Sequence, residues 1–348
     1  MASPPSITTT PAGPPSAPES DRRLLDAAGV LERHASNPSA FLALNQETLR
    51  FEVPGIDGFV AYRRAGRTLV QLGGVFAHPD DQDRLLDALV AMAEEDRCRL
   101  VAVQLLRPDA ERYAAKGFTV NQFGASYGRS LPDFNLKGRT HMYLRNRISR
   151  GRRAGLIVSE AGFDSPVIAD LDAIDRDWLT AKGRHVKELT FMVGERTGPL
   201  ASMRRLFVAT DGDGVVQGYI TFSPVHGARP GWLYDLSRRR PDGCPGTMEL
   251  LTFTAIERFR SEGAGYIHFG LTPFTGLDTA HELPGHSRVA ARLVHLLAER
   301  GHHVYPAAQQ VAFKHKWGPD LVEPEYVAFK GRVSLRSVWR LLRLTNAL

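Results

Sequence analysis

Two stretches of the chain carry residue types and spacings suited to handling phosphate. Between Lys137 and Arg153 the sequence KGRTHMYLRNRISRGRR holds seven basic residues and no acidic one: Lys137, Arg139, Arg145, Arg147, Arg150, Arg152 and Arg153. Like charges on adjacent helical turns repel one another. Phosphates would relieve that repulsion and give a sequence-independent, salt-sensitive affinity; a merely solvated face is the plainer reading. The second stretch is the loop Arg240-Pro241-Asp242-Gly243-Cys244-Pro245-Gly246. Gly243 and Gly246 stand just before a helix, where backbone N–H groups can hold an anion. Pro245 has no N–H and removes one donor from such a cradle. Pro and Gly also punctuate loops with no ligand at all.

Other chemistries lack a motif. His281 and His286 flank ELPG, and His302 and His303 are adjacent, but none has metal-ligand spacing, so no metal is expected. No GxGxxG, Walker loop or GxSxG elbow occurs, which leaves nucleotide-dependent redox, ATP use and Ser-hydrolase chemistry without support. A net charge of +6 and a pI near 9.4 favour an anionic partner, whether RNA, a phosphorylated small molecule or an anionic lipid surface. Cys98 and Cys244 form no CxxC pair, so a reducing, cytoplasmic setting is expected. No apolar run approaches the roughly eighteen residues that span a bilayer.

The elements that must position these residues follow from hydrophobic period. Residues 1–20, rich in Pro, Ser and Thr, read as a disordered tail without an apolar leader segment. A helix over Arg22–His34 is followed by strands at Leu49–Val53, Gly58–Arg64 and Thr68–Phe76. Then come a helix through Leu85–Met92, a strand at Arg99–Leu106, a helix at Asp109–Lys116 and a strand at Gly117–Val120. This predicts one mixed α/β unit over 21–135. A second unit over 136–331 is predicted from a helix at Gly138–Ala154, a strand at Leu156–Glu160 and a helix within Asp170–Lys182. A hairpin follows around Asp211–Gly214, then a strand at Trp232–Arg239, a helix at Thr247–Ser261 and a strand at Gly265–Gly270. A helix at Ser287–Arg300 and a strand at Glu325–Phe329 are expected to close it. Residues 332–348 read as a basic amphipathic helix. It either packs on its own domain or makes a peripheral contact with anionic lipid or tRNA.

Four ordered segments carry a family resemblance: LPDFNLKGRTHMYLRNRISRGRRAG, LYDLSRRRPDGCPGTMELL, HFGLTPFTGL and FKHKWGPDLVEPEYVAF. Together they resemble the cytosolic domain of phosphatidylglycerol lysyltransferases and their soluble relatives, over about residues 55–330. The resemblance implies α/β mixed sheets in two GNAT-like halves in tandem. It also implies aminoacyl-tRNA as co-substrate and partner, no cofactor, and a phospholipid headgroup or small metabolite as acceptor. Asp235 and Arg238 match the family's D-L-x-R motif, and Glu249 stands where Asp is usual. Lys314 and Lys316 match F-K-x-K-W/F. Ala125 follows Gly124 where an acidic residue is expected, so lysine as the transferred amino acid does not follow.

In this frame Asp235 and Lys314 are the candidate catalytic pair, with Arg238, Glu249 and Lys316 binding substrate and the seven basic residues of 137–153 binding tRNA. An aminoacyl ester is already activated, so the protein must orient donor and acceptor, stabilise an oxyanion and manage protons. A carboxylate suits an α-ammonium group, and a lysine suits the oxyanion or the leaving 3′-oxygen. Residues three apart on a regular strand face opposite sides, so Asp235 and Arg238 share a site only if a bulge or strand end intervenes. The rivals are an acyl-CoA N-acyltransferase on the same fold and a non-catalytic RNA- or membrane-binding module.

Overall fold

The computed structural model describes residues 19–182, 191–300 and 307–344. Most of the expected tail, His302, His303 and the last four residues lie outside the described residues. The first half runs α1 (Glu19–His34), a short 3-10 helix (Ala40–Leu44), β1 (Leu49–Phe51), β2 (Gly58–Ala65), β3 (Thr68–Ala77), α2 (Pro79–Glu95), β4 (Arg99–Leu105), α3 (Arg107–Ala115) and β5 (Phe118–Ser130). The second half runs α4 (Met142–Arg153), β6 (Ile157–Ala161), α5 (Ile168–Lys182), β7 (Arg205–Thr210), β8 (Val216–Val225), β9 (Gly231–Arg239), α6 (Thr247–Ser261) and β10 (Tyr266–Pro273). It ends with α7 (Arg288–Arg300), α8 (Ala307–His315), β11 (Leu321–Lys330) and α9 (Leu335–Leu344).

Each half contains the same unit: an antiparallel pair, then a helical crossover to a parallel neighbour. In the first, β2 pairs antiparallel with β3, and α2 carries the chain to the parallel β4. In the second, β8 pairs antiparallel with β9, and α6 leads to the parallel β10. The halves do not keep separate sheets. Among the described residues the strands form one eleven-stranded sheet, ordered β1-β2-β3-β4-β11-β5-β10-β9-β8-β7-β6, joined across the antiparallel β5–β10 pair. β11, expected at the close of the second half, instead lies between β4 and β5.

Two elements differ from the sequence reading for identifiable reasons. β5 continues to Ser130, although NQFGASYGRS breaks the apolar alternation that marks a half-buried strand. Its Gly124 meets β10 so closely that a Cβ there would lie 2.4 Å from the Thr272 carbonyl oxygen. The glycine is an adaptation to a neighbouring backbone, not a strand end. α8 goes beyond the sequence reading, because FKHKW lies in a stretch with few apolar residues at helical spacing. α9 packs on the first-half sheet, with Val338 and Leu341 among Val70, Leu72, Val101, Val103 and Phe329.

Candidate active site

β9 and β10 pair in parallel over only three positions, Gly231–Leu233 against Tyr266–His268, and then part. Beyond that point β9 follows β8 and β10 follows β5. A bulge sits on each strand at the parting. On β9, Phe222 of β8 lies opposite Tyr234 and Thr221 opposite Leu236, so Asp235 has no opposite residue. On β10, Phe269 is left over between the pairs His268–Gly128 and Gly270–Tyr127. Bulges re-aim side chains, and both do so here.

The β9 bulge resolves the spacing problem at Asp235 and Arg238. Tyr234 packs toward α6 and α8, with its ring 5.7 Å from Phe222 and 5.5 Å from Phe313. Leu236 turns to the other face, into the cluster of Leu171 and Ile174 from α5. Asp235 joins that face through Ser223, which alternates with Phe222 on β8. Arg238 lies there too, its guanidinium 4.0 Å from the centre of the Trp178 ring on α5.

The Asp235 side chain is 1% exposed and paired with Arg204 at 3.1 Å. It also accepts a hydrogen bond from the Ser223 hydroxyl. Arg204 reaches across to the first half, donating to Asn45 Oδ1 at 2.6 Å, with its guanidinium 4.9 Å from the Phe41 ring centre. Asn45 Nδ2 donates in turn to the Val193 carbonyl at 2.8 Å. Burial pushes the Asp235 carboxyl up from the usual range, against the opposing pull of Arg204. Its Oδ1 has no hydrogen-bond partner. Gly194 lies directly over it, and a Cβ on Gly194 would stand 1.9 Å from that oxygen. Gly194→Ala must therefore shift this segment away from Asp235. The expected result is a roughly 100-fold loss of turnover with an unchanged circular-dichroism spectrum, as misplacement by about 1 Å commonly produces.

Lys314 is 6% exposed and reaches from α8 to β10, donating to the Gly270 carbonyl at 2.6 Å and the Leu271 carbonyl at 3.1 Å. Consecutive carbonyls of a regular strand point opposite ways. The positive φ of Gly270, 67°, lets both address one amine. Burial lowers the Lys314 pKa to about 7, with Glu325 acting in the opposite sense. Glu325 on β11 is 1% exposed; burial raises its pKa to about 7, opposed by the Ser126 hydroxyl and Lys314. Its Oε2 has no hydrogen-bond partner.

Asp235 and Lys314 share no direct bond among the described residues; each has its own partners. Asp235 lies two residues past the last paired position of β9, and Gly270 two past that of β10. Asp235 and Gly270 thus stand at one level of the sheet, on either side of the parting, but the two functional groups are not brought together: α8, which carries Lys314, packs on the Tyr234 face, and Asp235 turns to the α5 face.

Glu249, Lys316 and Arg147 come together away from this pair. The Glu249 carboxylate, 6% exposed, lies 3.1 Å from Lys316 Nζ and 3.5 Å from Arg147 Nε, tying α6 to α4 and to the turn after α8. α4 also presses on the Gly243–Gly246 loop. Gly246 has φ 95°, and a Cβ there would meet the Arg147 carbonyl oxygen at 2.3 Å. The loop's amides are largely committed. Gly243 N–H donates to Arg240 O at 3.1 Å, Cys244 N–H to Gln217 Oε1 at 3.4 Å and Thr247 N–H to Cys244 O at 3.3 Å. Part of the loop's donor set is therefore spent inside the fold, and Gly246 also serves the close approach of a helix.

The basic run divides in two. Arg145 donates to the Leu136 and Gly138 carbonyls, and Arg147 meets Glu249. Lys137, Arg139, Arg150, Arg152 and Arg153 are exposed and pair with no carboxylate among the described residues. Among the described residues no group of three or more His, Cys, Asp or Glu side chains gathers as a metal site. His286 Nδ1 lies 2.9 Å from the Leu283 carbonyl oxygen, beside the 3-10 turn that holds His281.

Sequence reasoning did not single out Arg204, Asn45, Ser223, Gly194 or Glu325. Arg204 precedes Arg205, which instead pairs with Glu160 and Glu262, and nothing in the sequence separates the two arginines. Glu325 did leave a signal: a carboxylate beside the apolar run YVAF is a candidate buried charge.

The model of the family described as phosphatidylglycerol lysyltransferase, C-terminal, matches residues 28–329. The C-terminal domain of a putative lysylphosphatidylglycerol synthetase from Agrobacterium fabrum superposes with a TM-score of 0.76 at 19% identity, covering 94% of this chain and 98% of that one. L-PGS from Bacillus licheniformis gives the same TM-score and identity, covering 93% and 97%. These show the fold: two mixed α/β halves in tandem. A phosphatidylglycerol lysyltransferase of Staphylococcus epidermidis is 20% identical over 327 residues, 93% of this chain. The chain spans 38% of that relative's length. With that family model matching residues 28–329, most of the chain, the chain belongs to the family of phosphatidylglycerol lysyltransferase C-terminal domains.

Proposed function

We propose that the chain transfers an aminoacyl group from charged tRNA to a non-ribosomal acceptor, either a small metabolite or a phospholipid headgroup, at the parting of β9 and β10. The observation that carries this reading is the state of the loop before α6. The Gly243 and Cys244 amides are already bonded, Pro241 and Pro245 have none, and α4 lies against Gly246, while the exposed cations of α4 and its leading turn offer themselves to a larger polyanion. An acyl-CoA donor would need amides that are in part already bonded; a tRNA needs the basic face that is open.

The chemistry balances with the groups present. The acceptor's amine or hydroxyl forms a bond to the ester carbonyl carbon, and the bond to the ribose 3′-oxygen breaks. Lys314, with a pKa near 7, takes the acceptor proton as the neutral amine and returns it to the leaving oxygen as the ammonium. Asp235 Oδ1, buried and unpartnered, receives the α-ammonium of the donor once the Gly194 segment gives way. No cofactor is required, since the ester carries its own activation.

The exposed end of α4 supplies the test. Arg150→Glu/Arg153→Glu is expected to weaken aminoacyl-tRNA binding by about tenfold or more. It should also flatten the log–log salt dependence by roughly 0.7 to 0.9 for each phosphate no longer neutralised, with kcat retained. Unchanged affinity and slope in filter binding would remove tRNA from this face.

A further inference from the structure

α9 buries one stripe of its sequence and leaves the other bare. Leu341 is 7% exposed and Val338 packs beside it on the first-half sheet. On the outer side Trp339 is 44% exposed, with the guanidinium groups of Arg340 and Arg343 lying 5.2 Å and 5.3 Å from its ring centre. Arg336 and Arg343 are exposed as well. Beside the start of the helix lies a cavity of about 310 Å³, whose polar lining is Arg99, Lys330, Arg332, Ser334 and Ser337. Arg99 donates to the Ser334 hydroxyl, and Lys330 Nζ donates to the Lys116 carbonyl at 3.3 Å. None of Arg99, Lys330, Arg332, Arg336, Arg340 and Arg343 pairs with a carboxylate among the described residues.

Six cations without counter-charges, a polar recess and an exposed tryptophan make a surface whose complement is anionic below and partly apolar above. That is the chemistry of a phospholipid headgroup layer, where Trp favours the interface and Lys and Arg favour anionic lipid. Nucleic acid meets the charge requirement but not the aromatic one. The Trp339 ring is already engaged by two guanidinium groups, which leaves little of its face for a base to stack on. We propose that this face docks the protein on an anionic phospholipid bilayer, with a headgroup phosphate in the Arg99–Lys330–Arg332 recess and Trp339 in the interfacial layer. The docking surface goes beyond the transfer reaction and stands whether or not the acceptor is a lipid.

Co-sedimentation of the full chain with vesicles tests it without any turnover. Binding is expected to vesicles of phosphatidylcholine mixed with phosphatidylglycerol, to fade as salt rises, and to be absent from phosphatidylcholine alone. Arg332→Glu/Arg336→Glu is expected to weaken it by about tenfold or more, from the reversal of two surface charges. Trp339→Ala is expected to weaken it about threefold or more. Both variants should keep their melting temperature and their tRNA binding, whereas Arg150→Glu/Arg153→Glu should keep vesicle binding. The proposal is overturned by equal binding to neutral vesicles or by no binding to anionic ones. It is equally overturned if the α9 variants lose tRNA and keep vesicles.

Discussion

Lys314→Met is expected to lower aminoacyl transfer by about 1000-fold or more while leaving tRNA affinity within about twofold, because it removes the group proposed to move the proton and stabilise the leaving oxygen. Methionine fills the same volume, so the packing of α8 on β10 survives. Lys314→Arg should fail nearly as badly. A planar guanidinium cannot replace a compact amine at the Gly270 and Leu271 carbonyls, and it stays charged where Lys314 can be neutral. The pH profile carries the same signature. The neutral amine is the active form for the attack, so the rate should rise with pH through about 7. Glu325 helps hold the proton on Lys314; Glu325→Gln should therefore move that midpoint down. The stability linkage has a definite sign. Between about 7 and 10.5 the unfolded chain binds a proton at Lys314 that the folded chain does not, so the penalty of burying this lysine is full below pH 7 and fades above it. Urea titrations of wild type and Lys314→Met across that window should converge as pH rises. A gap independent of pH would place the charge in water.

The second large effect is on folding. Arg204 and Asp235 have side chains 1% exposed, and the pair joins the second half to Asn45 of the first. Arg204→Met leaves a buried carboxylate without its counter-charge. The expected cost is about 3–5 kcal/mol, read as a lower urea midpoint at unchanged slope. The double variant Arg204→Met/Asp235→Leu removes both charges and should recover most of that stability while remaining inactive. A double variant as unstable as the single one would show that Asn45 and Ser223, and not the ion pair, hold the junction.

What the sequence discloses here follows from which interactions are local. The crossover β3-α2-β4 is legible because each strand is an apolar run and the helix keeps its own stripe, and β9-α6-β10 because a Pro/Gly loop separates a strand pattern from a helix. Asp235, Arg238, Lys314 and Lys316 are legible through motifs. Their company is not. The face that Asp235 takes depends on a one-residue bulge opposite Phe222, and the carbonyls that hold Lys314 depend on Gly270 adopting a positive φ. Both are set by how β10 meets β5 and leaves β9, which no residue spacing encodes. Likewise β11 reads as a closing strand until its pairing partners, some 200 residues earlier in the chain, are known. Gly246 reads as part of an anion loop, and its close contact with α4 shows only in the fold.

The central claim is that the donor is a charged tRNA and that its ester is opened where β9 and β10 part. The most direct measurement follows the label on a radiolabelled aminoacyl-tRNA pool and, in parallel, on labelled acetyl-CoA, each with the protein and a cell extract as acceptor source. The account predicts loss of label from tRNA well above spontaneous hydrolysis, suppressed by salt and by Lys314→Met, with acetyl-CoA untouched. An aminoacyl-tRNA ester that lasts as long with the protein as without it, beside steady consumption of acetyl-CoA, would contradict it.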